Sequence, residues 1–167
     1  SNGGARETYE VIPDISTYAK SLGNGVPVAA FGGKSEVMNV IGGGSVAHAG
    51  TFGGNGVSMS AANAVLDILN EAPVLKELSI RGQKLKKGMD NILDEVGLPH
   101  QMCGHPNIQG FLITEHKVEE VRDLAYSDDA MYEKIMDHMF DRGVWVENDP
   151  REPWFLCAAH TLSLIHI

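Results

Sequence analysis

Residues 13–27 read Pro13-Asp14-Ile15-Ser16-Thr17-Tyr18-Ala19-Lys20-Ser21-Leu22-Gly23-Asn24-Gly25-Val26-Pro27. A single lysine stands among small and apolar neighbours. Two glycines follow it, Gly23 and Gly25, which let a backbone bend tightly or pass close to a ligand. An amine in a partly desolvated place has its charged form disfavoured, and as a neutral nucleophile it can condense with a carbonyl. Taken alone, the same residues also suit a solvated lysine ahead of a turn.

Working outward, Val26 to Phe31 is a short apolar run between glycine turns and predicts a buried strand, and Lys34 to Ile41 predicts a brief helix. Val57 to Leu69, rich in Ala, Met and Leu, predicts a largely buried helix. From Val74 to Val96 the residues Leu75, Leu78, Leu85, Met89, Ile92, Leu93 and Val96 fall near helical spacing, and Gly97 and Pro99 supply a stop. Phe111 to Ile113, Val144 to Val146 and Trp154 to Ala158 predict strands. Met131 to Arg142 predicts a helix capped by Ser127 or Asp128, with Met131, Ile135 and Met139 as a core stripe. Alternating elements of this kind imply an α/β architecture. The boundary is expected at Glu71 to Pro73, which divides the chain into residues 1–72, 73–161 and a tail, 162–167.

Composition excludes several classes of function. With 43% hydrophobic residues the chain can bury a core rather than stay disordered. A net charge of -9 repels phosphate backbones and anionic lipid surfaces, so nucleic acid is not an expected partner. The basic cluster Lys84, Lys86 and Lys87 reads as a solvated helix face. No apolar run reaches the ~20 residues of a membrane span, and Cys103 and Cys157 make no disulfide framework, so a cytosolic setting is expected.

Two further groups could carry chemistry. Gly50-Thr51-Phe52-Gly53-Gly54-Asn55-Gly56 precedes a helix, so backbone N–H groups, a hydroxyl and the positive end of a helix dipole would converge on one spot. That arrangement can grip a phosphate, or it can be a simple loop and helix cap; it is neither a Walker nor a dinucleotide-binding pattern. His100, Cys103 and His105 are the densest metal candidates, but Pro99 and Pro106 place them in an expected loop and no fourth ligand has a recognisable spacing, so no metal is expected.

Taken together, Pro13-Asp14-Ile15, Lys20, Gly23 to Pro27, Ala30-Phe31-Gly32-Gly33-Lys34 and His48-Ala49-Gly50-Thr51-Phe52 with Gly54-Asn55 occur in an order and at a spacing that resembles the class III aminotransferases. The likeness is greatest to the glutamate-1-semialdehyde aminomutase branch and runs from about Pro13 to His160. It implies fold type I of the pyridoxal-phosphate enzymes, with residues 1–72 as the C-terminal part of the cofactor-binding large domain and 73–161 as the small α/β C-terminal domain. It further implies that Lys20 holds pyridoxal 5'-phosphate as a Schiff base and shuttles protons. Gly50 and Thr51 would bind the cofactor phosphate across the interface of a homodimer, and Glu152 would stand near the substrate entrance. The substrate class implied is a small amino acid or amino-aldehyde.

The chain also departs from the family pattern. The family's pyridine-pairing aspartate and main phosphate loop lie upstream of Ser1, Gly56 stands where a proline is usual, and Leu162 to Ile167 does not match and reads as foreign. The chain is therefore expected to be an inactive fragment by itself. An ω-amino or amino-acid transaminase of the same family is the runner-up reading. A non-catalytic α/β dimerisation module is the third.

Overall fold

In the computed structural model, which describes residues 3–161, strand β1 (Ile15–Tyr18) pairs antiparallel with β2 (Ala30–Gly33), so that Ile15 faces Gly33 and Tyr18 faces Ala30. The hairpin follows a short helix, α1 (Gly4–Thr8), and its connection opens with a 3₁₀ turn over Lys20–Leu22. Helices α2 (Ser35–Gly42) and α3 (Gly56–Glu71) come next, and α3 packs against the 3₁₀ turn. The chain divides after Leu75, in the first turn of α4 (Val74–Glu95), into two compact units. The tail expected at 162–167 lies outside the described residues.

Three sequence expectations change in the first unit. The strand expected at Val26 to Phe31 begins only at Ala30, because the Val26 N–H is spent on the Gly23 carbonyl at 3.3 Å and Pro27 has no N–H to give. Its partner β1 lies inside the motif itself and was not anticipated. Helix α3 forms as expected, but only Ser58 and Ala62 on it are buried; Val57 and Ile68 remain 71% and 58% exposed. Among its described residues the first unit has no hydrophobic core cluster of its own. Phe52 and Ile12 are likewise 72% and 73% exposed.

The second unit is built differently. Strands β3 (His100–His105), β4 (Ile108–Ile113) and β5 (Trp154–Phe155) form an antiparallel sheet in the order β3-β4-β5, flanked by α4 and by α5 (Asp129–Phe140). A second 3₁₀ stretch spans Val121–Tyr126. The spacing of apolar residues from Leu75 to Leu93 places Leu78 and Leu93 inward on α4, and Gly97, at φ 69°, allows the chain to turn off the helix. Asp128 is the cap of α5, its carboxylate accepting from the Met131 N–H at 3.0 Å.

Leu93, Phe111, Ile113, Tyr132, Met136 and Trp154 form the core, with Met131, Ile135 and Met139 packed at its edge as the stripe predicts. Burial of a side chain such as Phe111 or Met136 is worth about 1.5–3 kcal/mol. Gly82 lets α4 approach the β3–β4 turn: a Cβ there would overlap the Pro106 carbonyl. Fully buried Gln109 secures the contact by donating to the carbonyls of Gly82 at 3.1 Å and Pro106 at 3.0 Å.

Two expected strands are corrected in the second unit. Val144 to Val146 is irregular and leaves Trp145 88% exposed, because β5 takes the edge of β4 and the Val144 N–H is spent on the Met139 carbonyl at 3.0 Å. The strand expected over Trp154 to Ala158 ends after Phe155. Beyond it the Cys157 N–H donates to His160 Nδ1 at 2.9 Å, and Arg81 claims the carbonyls of Ala158 and His160 at 3.0 and 2.8 Å.

Candidate active site

Lys20 occupies the second position after the hairpin's leading strand, and its backbone is left-handed, with φ 53°. Lysine lacks the short polar side chain that eases Asn or Asp into this region, so the conformation costs about 1–2 kcal/mol and is imposed by its surroundings. Ala19, extended at φ -156°, accepts from the Leu22 N–H at 3.1 Å, and the Lys20 carbonyl accepts from the Gly23 N–H at 3.1 Å. Gly23 is buried, and a Cβ on it would overlap the Val26 carbonyl oxygen and Val28 Cγ1. Lys20 itself is exposed within this chain.

Gly50 and Thr51 lie in the same unit. The Gly53 N–H returns to the Gly50 carbonyl at 3.0 Å, so Thr51 rides on a tight turn, and Asn55 caps α3 by accepting from the Ser58 N–H at 3.1 Å. The N–H groups of Gly56 and Val57, in the first turn of α3, have no helical carbonyl within reach. The loop is docked on the lysine's hairpin, because His48 meets Phe31 of β2 edge to face at 5.0 Å. Phe31 in turn faces Thr17, three residues before Lys20. Sequence reading quoted both His48 and Phe31 as motif residues but did not anticipate that they touch.

Glu152 belongs to the second unit. Its N–H closes a turn on the Asp149 carbonyl at 3.0 Å, and Asp149 is fixed by two 2.7 Å bonds from Arg151, which hold its carboxyl below the usual range. Glu152 lines an open, mostly apolar groove of about 1010 Å³ together with Met89, Ile135, Met139, Trp145 and Trp154.

The metal candidates separate. Residues 100–105 form a strand rather than a loop, and the period of two turns His100 to the face opposite Cys103 and His105. Burial pushes the Cys103 thiol up, against the smaller opposing effects of the Gln101 hydrogen bond and Lys86, so it stays protonated. Among the described residues no group of three His, Cys, Asp or Glu could hold a metal ion, and no helix is long and apolar enough to cross a membrane.

His100 has a structural task instead. Its nearly buried ring stands 2.9 Å from the Leu98 carbonyl and 3.0 Å from Asp90 Oδ1. Both neighbours can only accept, so both bonds form only with the imidazolium. Burial pushes its pKa down, but the Asp90 hydrogen bond, the Leu98 carbonyl and the charges of Asp90 and Asp94 outweigh it, and the net shift is upward. A raised folded-state value means that the stabilisation is complete below the unfolded value of about 6.5 and is lost as pH rises through the folded value. Melting curves of the wild type and His100→Gln should therefore lie furthest apart near pH 6, below the unfolded value of about 6.5, and converge as pH rises through the folded value. A gap that widens with pH would contradict the imidazolium.

A lysine on a left-handed turn and a glycine-rich turn ahead of a helix thus lie in one α/β unit. Residues 3–161 match the family Aminotransferase class-III, and the chain belongs to that family. It is 34% identical over 166 residues to the glutamate-1-semialdehyde 2,1-aminomutase of Aquifex aeolicus (strain VF5), covering 99% of this chain and 39% of that protein. The solved β-phenylalanine aminotransferase from Variovorax paradoxus superposes with TM-score 0.87 and 25% identity over 98% of this chain and 38% of that one. A solved transaminase with PLP bound matches with TM-score 0.81 and 20% identity over 99% of this chain and 38% of that one, a likeness of fold. The chain thus spans less than two fifths of the length of the relatives it matches.

Proposed function

We propose that this chain carries the lysine-bearing part of a pyridoxal-phosphate enzyme that moves an amino group within or between small substrates, after the manner of glutamate-1-semialdehyde 2,1-aminomutase. The cofactor, when bound, supplies an electron sink that makes a proton on the substrate's α-carbon labile. Lys20 holds the cofactor through its amine and, once displaced by substrate, takes that proton from one carbon and returns it to another. Thr51 and the first N–H groups of α3 grip the phosphate, in a homodimer whose sites are completed across the interface. Glu152, held on its turn, is assigned to substrate entry.

The observation that carries this reading is the left-handed mount of Lys20 within a chain of this family. Identity of 34% along 99% of the chain favours the aminomutase branch, whereas the TM-score of 0.87 to an aminotransferase supports a transaminase as the second reading. Treating the protein with pyridoxal phosphate, reducing with borohydride and mapping peptides should place the label on Lys20. A label spread evenly over the lysines would refute the assignment. In the full-length enzyme, turnover without an added keto acid would mark an aminomutase, and strict dependence on one would mark a transaminase.

A further inference from the structure

The described backbone has three non-glycine residues at positive φ, and two of them, Lys20 at 53° and Asn24 at 46°, lie in the single connection between β1 and β2. Three bonds wind that connection in succession: Leu22 N–H to the Ala19 carbonyl at 3.1 Å, Gly23 N–H to the Lys20 carbonyl at 3.1 Å, and Val26 N–H to the Gly23 carbonyl at 3.3 Å. Gly23 belongs to two of them, once as donor and once as acceptor. It is also the one buried residue of the segment, pressed so closely by the Val26 carbonyl and Val28 Cγ1 that a methyl group cannot be inserted. Because the offending atom is backbone oxygen, rotamer changes cannot relieve the overlap.

We infer that Gly23 is a positioning residue, which locks Lys20 into its left-handed conformation and so presets the direction in which its side chain leaves the backbone before any cofactor arrives. The inference rests on the reading of Lys20 as the cofactor lysine and adds to it a residue that touches neither cofactor nor substrate. A side chain launched in a preset direction spends less of its binding free energy on ordering. Strain of this kind persists only where neighbouring contacts over-determine it, and here the Gly23 contacts are those neighbours.

Two measurements test the mount. In amide hydrogen exchange on the peptide spanning β1 to β2, Leu22 and Gly23 should be protected about 5- to 30-fold more strongly in Lys20→Gly than in Lys20→Ala, since glycine alone escapes the left-handed penalty. Equal protection, greater protection in the alanine variant, or no protection in either would overturn the inference, because glycine at an ordinary site is the weaker residue. This comparison needs no cofactor. In the second measurement, Gly23→Ala should lower the ratio of pyridoxal-phosphate label on Lys20 to label on Lys34 at least tenfold, while exchange across the paired residues of β1 and β2 stays as in the wild type. An unchanged ratio, or a ratio that falls only together with hairpin protection, rejects Gly23 as a positioning residue. A wild type that shows no preference for Lys20 rejects the functional reading, and the exchange comparison still decides the mount.

Discussion

Lys20→Ala is expected to abolish reducible attachment of pyridoxal phosphate and to lower turnover of the full-length enzyme by roughly 10²- to 10⁴-fold, the range for loss of a positioned acid–base group, with the loss of covalent attachment adding to it. The substitution keeps the 3.1 Å bond from the Gly23 N–H to the carbonyl of residue 20, because it runs through the backbone. Alanine pays the same left-handed penalty as lysine, so the fold should be unmoved. Lys20→Arg makes the complementary point: the charge remains, but a guanidinium that stays protonated cannot condense with an aldehyde or carry a proton near neutrality. Both variants should therefore fail alike, as read by the cofactor's absorbance and by steady-state turnover. If Lys20→Arg kept turnover within about threefold of the wild type, Lys20 would be a binding charge, and the acid–base role would belong elsewhere.

The family was legible because its signal is an ordered set of motifs: Pro13-Asp14, Lys20, the Gly23 to Pro27 turn and the Gly50 to Asn55 turn follow one another at family spacing. The backbone conformation of Lys20 was not legible. No composition announces a lysine at φ 53°; that angle follows from the bonds of Ala19 and Gly23, which exist only once the hairpin has closed. The same distinction runs through the fold. Helix α4 could be read because 22 residues repeat one helical pattern, and α5 because Asp128 supplies a cap before an apolar stripe. Strand β3 was hidden, since His100-Gln101-Met102-Cys103-Gly104-His105 has weak strand propensity and gains its extended form from six residue pairings with β4. Val144 to Val146 errs the other way, with strand-like composition but its first N–H spent on the Met139 carbonyl. Burial of α3 failed for a third reason: the helix is apolar on several sides, and the described chain covers only Ser58 and Ala62.

Trp154→Ala should have the largest effect on the second unit, because the indole joins three parts of its core. The ring meets Phe111 edge to face at 5.7 Å, and Phe111 in turn stacks at 5.2 Å on Tyr132, which is 1% exposed. The indole N–H donates to Tyr132 Oη at 2.9 Å, and that hydroxyl donates onward to the Glu147 carbonyl at 3.2 Å. One substitution therefore empties a large volume of core, removes the two-residue pairing of β5 as a packed element and leaves the Tyr132 hydroxyl short of its donor. Truncating a buried aromatic costs about 3–5 kcal/mol. Tyr132→Phe isolates the polar part. It keeps the ring contacts but strands the indole N–H in an apolar setting, at a cost of about 1–3 kcal/mol. Denaturant unfolding followed by far-ultraviolet circular dichroism should rank the variants in that order, with Trp154→Phe between them and the wild type if volume dominates. Were Tyr132→Phe to cost as much as Trp154→Ala, the hydrogen-bonded chain from Trp154 through Tyr132 to Glu147 would outweigh the packing. The core of this unit would then be held chiefly by that buried polar relay.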